Sequence, residues 1–345
     1  MNRVRLAIHH GPGLPFELRT LEKPRLAEGE LLVEISLATV CGSDLHTLDG
    51  RRSAPAPCVL GHEAVGRVVD LSHGADPSLL GQRVTWSIAS SCGSCQPCHQ
   101  WALPQKCESL FKYGHAGIDE GSGLNGCYAS HIVLRPGTFV LPIPDSLPDS
   151  VVAPVNCALA TMVAALEPFP KRSHLAVIQG AGLLGLYGCA LLKQAGWDRV
   201  VVVDKNPGRL ELVPRFGGEP AHISARSIAD SSSADLVMEL TGSPAVIKEG
   251  VDLLRPGGHY ALVGMVHPDS LLNLTGETII RKCLTLRGTH NYAPKHLLAA
   301  IRFLESQRRA FPWEQLVAPA LPLESIDDVI SLAKSGAWTR AAMRP

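Results

Sequence analysis

The run VIQGAGLLG constrains this chain more than any other. It places Gly180, Gly182 and Gly185 in G-x-G-x-x-G spacing, directly after the apolar segment Leu175–Gln179 and at the start of a helix-like run, Leu183–Ala195. A second apolar run, VVVVD, follows and ends in Asp204. Strand, glycine turn, helix and strand with a terminal acid form a dinucleotide-binding unit, and each part has a physical task. Gly180 makes the tight turn, Gly182 lets the backbone approach a pyrophosphate, and Gly185 allows the helix to pack closely on the strand. The free N–H groups of the helix N-terminus, at Leu183 and Leu184, then face the phosphates. Asp204 would accept hydrogen bonds from the adenosine ribose and repel a 2′-phosphate, favouring NAD over NADP, although Lys205 and Arg209 soften that rejection. The plainer reading is an α/β turn with incidental glycines; context, spacing and acid together favour the cofactor. A membrane helix over Leu175–Leu192 is disfavoured by the glycines at 180, 182, 185 and 188.

The alternation continues towards the C-terminus. Helix-like Pro207–Phe216 and strand-like Leu236–Leu240, Tyr260–Val263 and Cys283–Arg287 predict a parallel sheet covered by helices over residues 157–290. Before it lie short strand-like runs, Leu31–Leu37, Ala64–Leu71, Gln82–Trp86 and Ser130–Leu134, separated by glycine and proline, the texture of a partly open β-barrel. Beyond 290 come a helix (Leu297–Ser306), a short strand near Leu316–Ala318 and a helix (Ile326–Ala333), so the tail is expected to return to the first domain. A length of 345 residues accommodates two such domains, 1–156 with 291–345, and 157–290. Lys plus Arg and Asp plus Glu are equal at 32 each, so no net charge draws the chain to nucleic acid or an anionic membrane. The start, MNRVRLAIHHGPG, lacks a signal peptide's apolar core, and a cytoplasmic location is expected.

Ten cysteines in such a chain point to metal rather than disulfides. Cys92, Cys95, Cys98 and Cys107 follow a C-x2-C-x2-C-x8-C pattern within a lobe of about residues 88–112. Four thiolates close a tetrahedral shell, as a structural zinc requires; an iron–sulfur cluster or redox thiols are the competing readings. A dispersed set comprises Cys41 in CGSDLH, His62 and Glu63 in GHE, and Cys157 in NCALAT. One imidazole and two thiolates would leave a fourth position open, which catalytic zinc needs. Cys58, Cys127, Cys189 and Cys283 fit no metal spacing and read as packing residues.

Taken in order, CGSDLH, GHEAVGRVV, the cysteine lobe, NCALAT, GAGLLG and VVVVD resemble the medium-chain zinc-dependent alcohol dehydrogenases over essentially the whole chain. The resemblance implies a GroES-like catalytic domain and a Rossmann-type doubly wound domain, two zinc ions per chain and NAD. It matches Cys41, His62 and Cys157 to the catalytic zinc ligands, and Glu63 to the acid that approaches the metal when water leaves. Ser43 and His46 match a proton relay and Thr161 a residue close to the nicotinamide. The implied reaction is reversible hydride transfer between a small alcohol and NAD through a zinc-bound alkoxide, with the proton leaving by Ser43 and His46; an unperturbed imidazole titrates near pH 6.5, which suits that task. Homodimers or homotetramers are usual in the family. The spacer before Cys107 is one residue longer than the family's pattern, which bears on lobe geometry.

Within the family, sorbitol- and threonine-dehydrogenase-like members tend to carry an acid where this chain has Cys157, so a polyol or amino-alcohol dehydrogenase is the runner-up. The runs LATVCGSDLHTLDGRRSAPAP, CESLFKYGHAG and LRGTHNY are similar to a subgroup associated with phosphonate catabolism. By resemblance, Arg51, Arg52, Lys112, Tyr113 and His115 border the substrate, which predicts an alcohol bearing an anionic group such as phosphonate; solvated surface charge is the plainer alternative. A zinc- and NAD-binding regulatory or structural protein without turnover is the reading outside enzymology, and intact Ser43 and His46 argue against it.

Overall fold

The computed structural model describes residues 3–227, 229–267 and 270–345. The chain divides into two compact units. One holds the chain up to Cys157 together with Tyr292–Arg308 and Trp313–Pro345; the other holds Ala158–Asn291 with Arg309–Pro312.

The first unit is built on antiparallel strands. Leu31–Thr39 is its spine: residues 31–34 pair with His131–Leu134, residues 38 and 39 pair with the C-terminal strand Ala342–Arg344, and its other edge pairs with Glu63–Leu71. Register shifts in that last pairing lie between Leu32 and Val33 and between Ile35 and Leu37, and Thr39 then stands opposite Glu63. Arg83–Ser90 continues the sheet, pairing with Thr138–Pro142 on its far edge and, through Ala89 and Ser90, with Phe111–Lys112 on the other. A smaller sheet pairs Arg3–His9 with Glu17–Glu22 and Cys58–Val59. The interior is filled by Leu6, Ile8, Leu32, Trp86, Tyr113, Tyr128 and Ile132, all essentially inaccessible. These apolar side chains supply the main stabilising term of the unit, since their area leaves water on folding.

The second unit is a six-stranded parallel sheet. Its strand order is Glu219–His222, Arg199–Asp204, Leu175–Gln179, Ala234–Glu239, Leu254–Leu262, Thr285–Gly288. Numbered along this unit the order is 3-2-1-4-5-6, the doubly wound dinucleotide-binding order, with its reversal beside Leu175–Gln179. Strands buried on both faces must be apolar throughout, and Val177, Val201, Val202 and Val237 are fully buried.

Two expected elements differ. The helix expected over Pro207–Phe216 is split into Pro207–Leu210 and a 3-10 turn, Val213–Phe216, because Pro214 lacks an N–H and Gly217 closes the turn at φ +83°. The strand expected near Leu316–Ala318 is instead a 3-10 turn, Trp313–Leu316, followed by one parallel bridge between Val317 and Arg340. The apolar run Leu175–Leu192 resolves into the strand Leu175–Gln179 and the helix Leu183–Gln194. Among the described residues one helical stretch, Asp149–Leu166, is long and apolar enough to cross a membrane by length and composition, and 61% of it is buried inside the protein.

Candidate active site and zinc centres

The dinucleotide turn in the second unit has the geometry its glycines demand. Gly180 lies at φ +114°, and its N–H donates to the Val203 carbonyl at 2.7 Å. A Cβ on Gly185 would stand 2.0 Å from the Gly180 carbonyl oxygen, so no larger residue fits between turn and helix. A Cβ on Gly182 would meet nothing within 4 Å, and the helix it caps has no side-chain cap bond. Open space beside uncapped N–H groups is the cradle a pyrophosphate needs. Asp204 accepts from the N–H groups of Ala181 and Asn206, both at 2.8 Å, tying the second strand's end to the turn. Lys205 and Arg209 are exposed, and Thr161 is half-buried on the helix Ala160–Leu166. Glu239, absent from the residues singled out by sequence, is fully buried and accepts from the N–H groups of Thr241, Gly242 and Gly264. It thereby holds the loops after the fourth and fifth strands, and a Cβ on Gly180 would lie 3.2 Å from Thr241.

In the first unit, ligand-capable atoms of Cys41, His62, Glu63 and Cys157 all lie within 4.8 Å of one another, as do those of Cys92, Cys95, Cys98 and Cys107. A tetrahedral zinc with sulfur at about 2.3 Å separates two thiolates by about 3.8 Å. The Cys41 and Cys157 sulfurs are 3.9 Å apart. In the lobe, the Cys95–Cys107, Cys92–Cys107 and Cys95–Cys98 separations are 3.8, 3.5 and 3.4 Å. Both sets therefore fit a single ion; a multi-iron cluster would force the lobe sulfurs further apart. All ten cysteines are free. In the stretch leading to Cys107, between the turns Gln96–His99 and Pro104–Lys106, Ala102 adopts a left-handed φ of 53°.

The elements that deliver the dispersed set are short and locally fixed. Cys41 is the N-cap of the helix Gly42–Leu48, and its N–H donates to Asp44 at 3.0 Å. Ser43 and His46 lie three residues apart on that helix and so share a face. Asp44 was not singled out by sequence. Its carboxylate also accepts from the Tyr128 hydroxyl at 3.0 Å and lies 3.3 Å from His62 Nδ1. Nδ1 thus faces the carboxylate, leaving Nε2 for a metal. Burial opposes protonation of His62, yet the Asp44 charge prevails and raises its pKa to about 10. A more basic imidazole is a stronger ligand. Cys41 is held well below the usual thiol range by the Cys157 thiol's hydrogen bond, against burial and with help from Arg340.

Arg340, another residue that sequence reasoning missed, grips Glu63 through two bonds of 2.9 and 3.1 Å, and its Nη2 is 3.8 Å from Cys41 Sγ. Thr39 donates to the same carboxylate at 2.6 Å. Burial still raises Glu63 to about 7, Arg340 notwithstanding. Asn156 donates to the carbonyls of His62 and Trp86, both at 3.0 Å, and Tyr292 donates to the Asn156 carbonyl, which anchors the segment leading into Cys157.

The residues expected to border the substrate separate into two groups. Arg51 is exposed and pairs with Asp49 at 2.8 Å, and Tyr113 is fully buried, bonded to Thr138 and to the Arg135 N–H. The Tyr113 hydroxyl is satisfied within the core, and one nitrogen of Arg51 is tied to Asp49. Arg52, Lys112 and His115 are half-buried. The His115 ring centroid is 5.5 Å from that of His62, and His115 Nδ1 donates to the Tyr113 carbonyl at 2.9 Å. Burial, then Lys112, His62 and Arg52, push His115 well below the usual imidazole range, so it is neutral with Nε2 as acceptor. Burial and Arg52 lower Lys112 to about 8, while the charges of Cys157, Cys41 and Asp44 act in the opposite direction.

A parallel dinucleotide sheet, one closed sulfur tetrahedron and one open two-sulfur, one-nitrogen site define a zinc-dependent nicotinamide oxidoreductase. Residues 27–145 match the alcohol dehydrogenase GroES-like domain and residues 148–334 match the glucose dehydrogenase C-terminus. The chain belongs to the zinc-dependent medium-chain alcohol dehydrogenase family. An alcohol dehydrogenase structure from Thermotoga maritima is similar at 28% identity and TM-score 0.90, covering 99% of both chains. Another, from Thermus sp. ATN1, is similar at 25% identity and TM-score 0.87, again over 99% of each. L-threonine 3-dehydrogenase from Aeromonas salmonicida is 28% identical over 284 residues, 77% of this chain and 78% of that protein.

Proposed function

We propose that this enzyme oxidises a small alcohol with NAD at the Cys41–His62–Cys157 centre, the alcohol carrying an anionic group. One observation carries the reading: two sulfurs 3.9 Å apart share a 4.8 Å cluster with an imidazole, the donor set of a zinc with a vacant fourth position. Zinc held there supplies Lewis acidity, which lowers the pKa of an alcohol hydroxyl. The chain's own groups do the rest. Asp44 orients His62, and Arg340 holds Glu63 beside the ligands. Ser43, on the first turn after Cys41, accepts the substrate's hydroxyl proton, and His46 on the same face delivers it to solvent. Asp204 at the end of its strand supports NAD over NADP.

The amino-alcohol reading has support in the L-threonine 3-dehydrogenase relatives. Against it stand Cys157 and the two cations Arg52 and Lys112, which would repel a substrate ammonium. The exposed edge strand Thr285–Gly288, with exposed Ile280 and Leu271 in the same unit, supports pairing with a second copy. Free cysteines throughout support a cytoplasmic location. The test is NADH formation at 340 nm on an alcohol panel, using protein of measured zinc content. Turnover that disappears with Cys157→Ala sustains the reading, and turnover unchanged by that substitution overturns it.

A further inference from the structure

Cys157 is carried by an irregular turn. Pro154 has no N–H to offer, and its ring crowds the carbonyl four residues back, so the helix Asp149–Val152 cannot run on unbroken. It gives way to a π-helical turn, Val155–Leu159, before the helix Ala160–Leu166 begins. A wide turn of this kind re-aims the side chains within it, and such turns occur mostly at functional positions. Asn156 and Cys157 both lie in it.

Two side chains dock this turn onto one strand. Asn156, fully buried, donates from Nδ2 to the carbonyls of Trp86 and His62, each at 3.0 Å. The buried Tyr292 hydroxyl donates to the Asn156 carbonyl and accepts from the Ile88 N–H at 3.3 Å. Trp86 and Ile88 are two residues apart on Arg83–Ser90, so their backbone groups face one edge, in the stretch where pairing with Thr138–Pro142 shifts register. Asn156 thus bonds the main chain of one metal ligand, His62, and is covalently joined to another, Cys157. Each lost bond would leave a buried polar group unsatisfied, so the arrangement resists small displacements.

We propose that Asn156 and Tyr292 are positioning residues for the catalytic metal. They fix the Cys157 sulfur relative to the His62 imidazole, and so set the affinity and geometry of the open site without touching the ion. This rests on the reading of Cys41, His62 and Cys157 as the catalytic zinc ligands. Cys41 is held separately, through the bond from its N–H to Asp44. Loosening the pair therefore displaces two ligands and leaves the third in place. The four lobe cysteines take part in none of these bonds.

Tyr292→Phe deletes one oxygen from a side chain that otherwise keeps its shape, and Asn156→Ala removes both amide bonds. Chelator competition on the zinc-loaded protein should show open-site affinity lowered about tenfold in Tyr292→Phe and up to about 100-fold in Asn156→Ala, with the lobe zinc unchanged. Cobalt placed at the open site, with zinc kept in the lobe, should show altered visible d–d bands in both variants as the tetrahedron distorts. A fall in Tm with open-site affinity and cobalt bands unchanged would make the pair plain core and overturn the proposal, as would loss of both zinc ions together. Wild-type protein that binds zinc only in the lobe would sink the reading of the centre itself, and the pair's role with it. Two zinc ions in the wild type with unaltered affinity in both variants would sink the pair's role alone.

Discussion

Asp44→Asn isolates the support behind one metal ligand. The carboxylate has two distinct jobs: one oxygen accepts from the Cys41 N–H and the Tyr128 hydroxyl, both at 3.0 Å, and the other lies 3.3 Å from His62 Nδ1. An amide has one acceptor and one donor end. If its oxygen stays with Cys41 and Tyr128, its NH2 faces Nδ1, which must then give up its proton and become an acceptor. The tautomer that results carries hydrogen on Nε2 and cannot bind metal there. If the amide turns round, its NH2 meets two donors inside a buried site. Either arrangement also removes the charge that raises His62 to about 10. Loss of such a supporting partner lowers metal affinity about 10- to 100-fold, or about 1.4–2.7 kcal/mol. Competition with a chromophoric zinc chelator should therefore show one weakened zinc and one unchanged zinc per chain. The lobe ion, held by four cysteines outside this network, serves as the folding control. Equal, unaltered affinity at both sites would refute the argument, as would loss of both ions together.

Gly185→Ala places a methyl 2.0 Å from the Gly180 carbonyl, so turn and helix must part; overpacking of this kind costs about 1–3 kcal/mol, and NADH fluorescence titration should show weakened binding alongside a lower Tm. Arg340→Met leaves Glu63 alone in a fully buried place, and breaking a buried pair costs about 3–5 kcal/mol. Without the guanidinium, the Glu63 pKa rises above about 7, so the stability deficit relative to the wild type, read from denaturant titrations, should grow as pH climbs above about 7, where the wild-type carboxylate ionises and the variant's does not. Lys112 is a cation below about pH 8 and neutral above it, so kcat/KM for an anionic alcohol should fall as pH rises past that point while a neutral alcohol's does not share the step.

The legible parts of the fold were those with dense local signals. Leu175–Gln179 and its helix were readable because glycines bracket an apolar run, and the cysteine lobe because its four ligands fall within sixteen residues, Cys92 to Cys107. The dispersed zinc ligands could be assembled only through family resemblance, since no spacing rule joins residues 41, 62 and 157. Arg340 left no local trace: its partner Glu63 is 277 residues away, and an arginine near a C-terminus reads as surface. Asp44 lay inside the motif that names Cys41, Ser43 and His46, yet nothing in sequence tells a helix N3 acid that caps its own N-cap from one that also steers a histidine. The hairpin Arg3–His9 with Glu17–Glu22 went unread because only one face of RVRLAIH alternates before the burial becomes continuous.

An anomalous difference map recorded at the zinc absorption edge bears most directly on the whole account. Two peaks per chain are predicted, one inside the Cys92–Cys95–Cys98–Cys107 tetrahedron and one within bonding distance of the Cys41 and Cys157 sulfurs and His62 Nε2. A lone peak in the lobe, in crystals grown from zinc-replete protein, would contradict it.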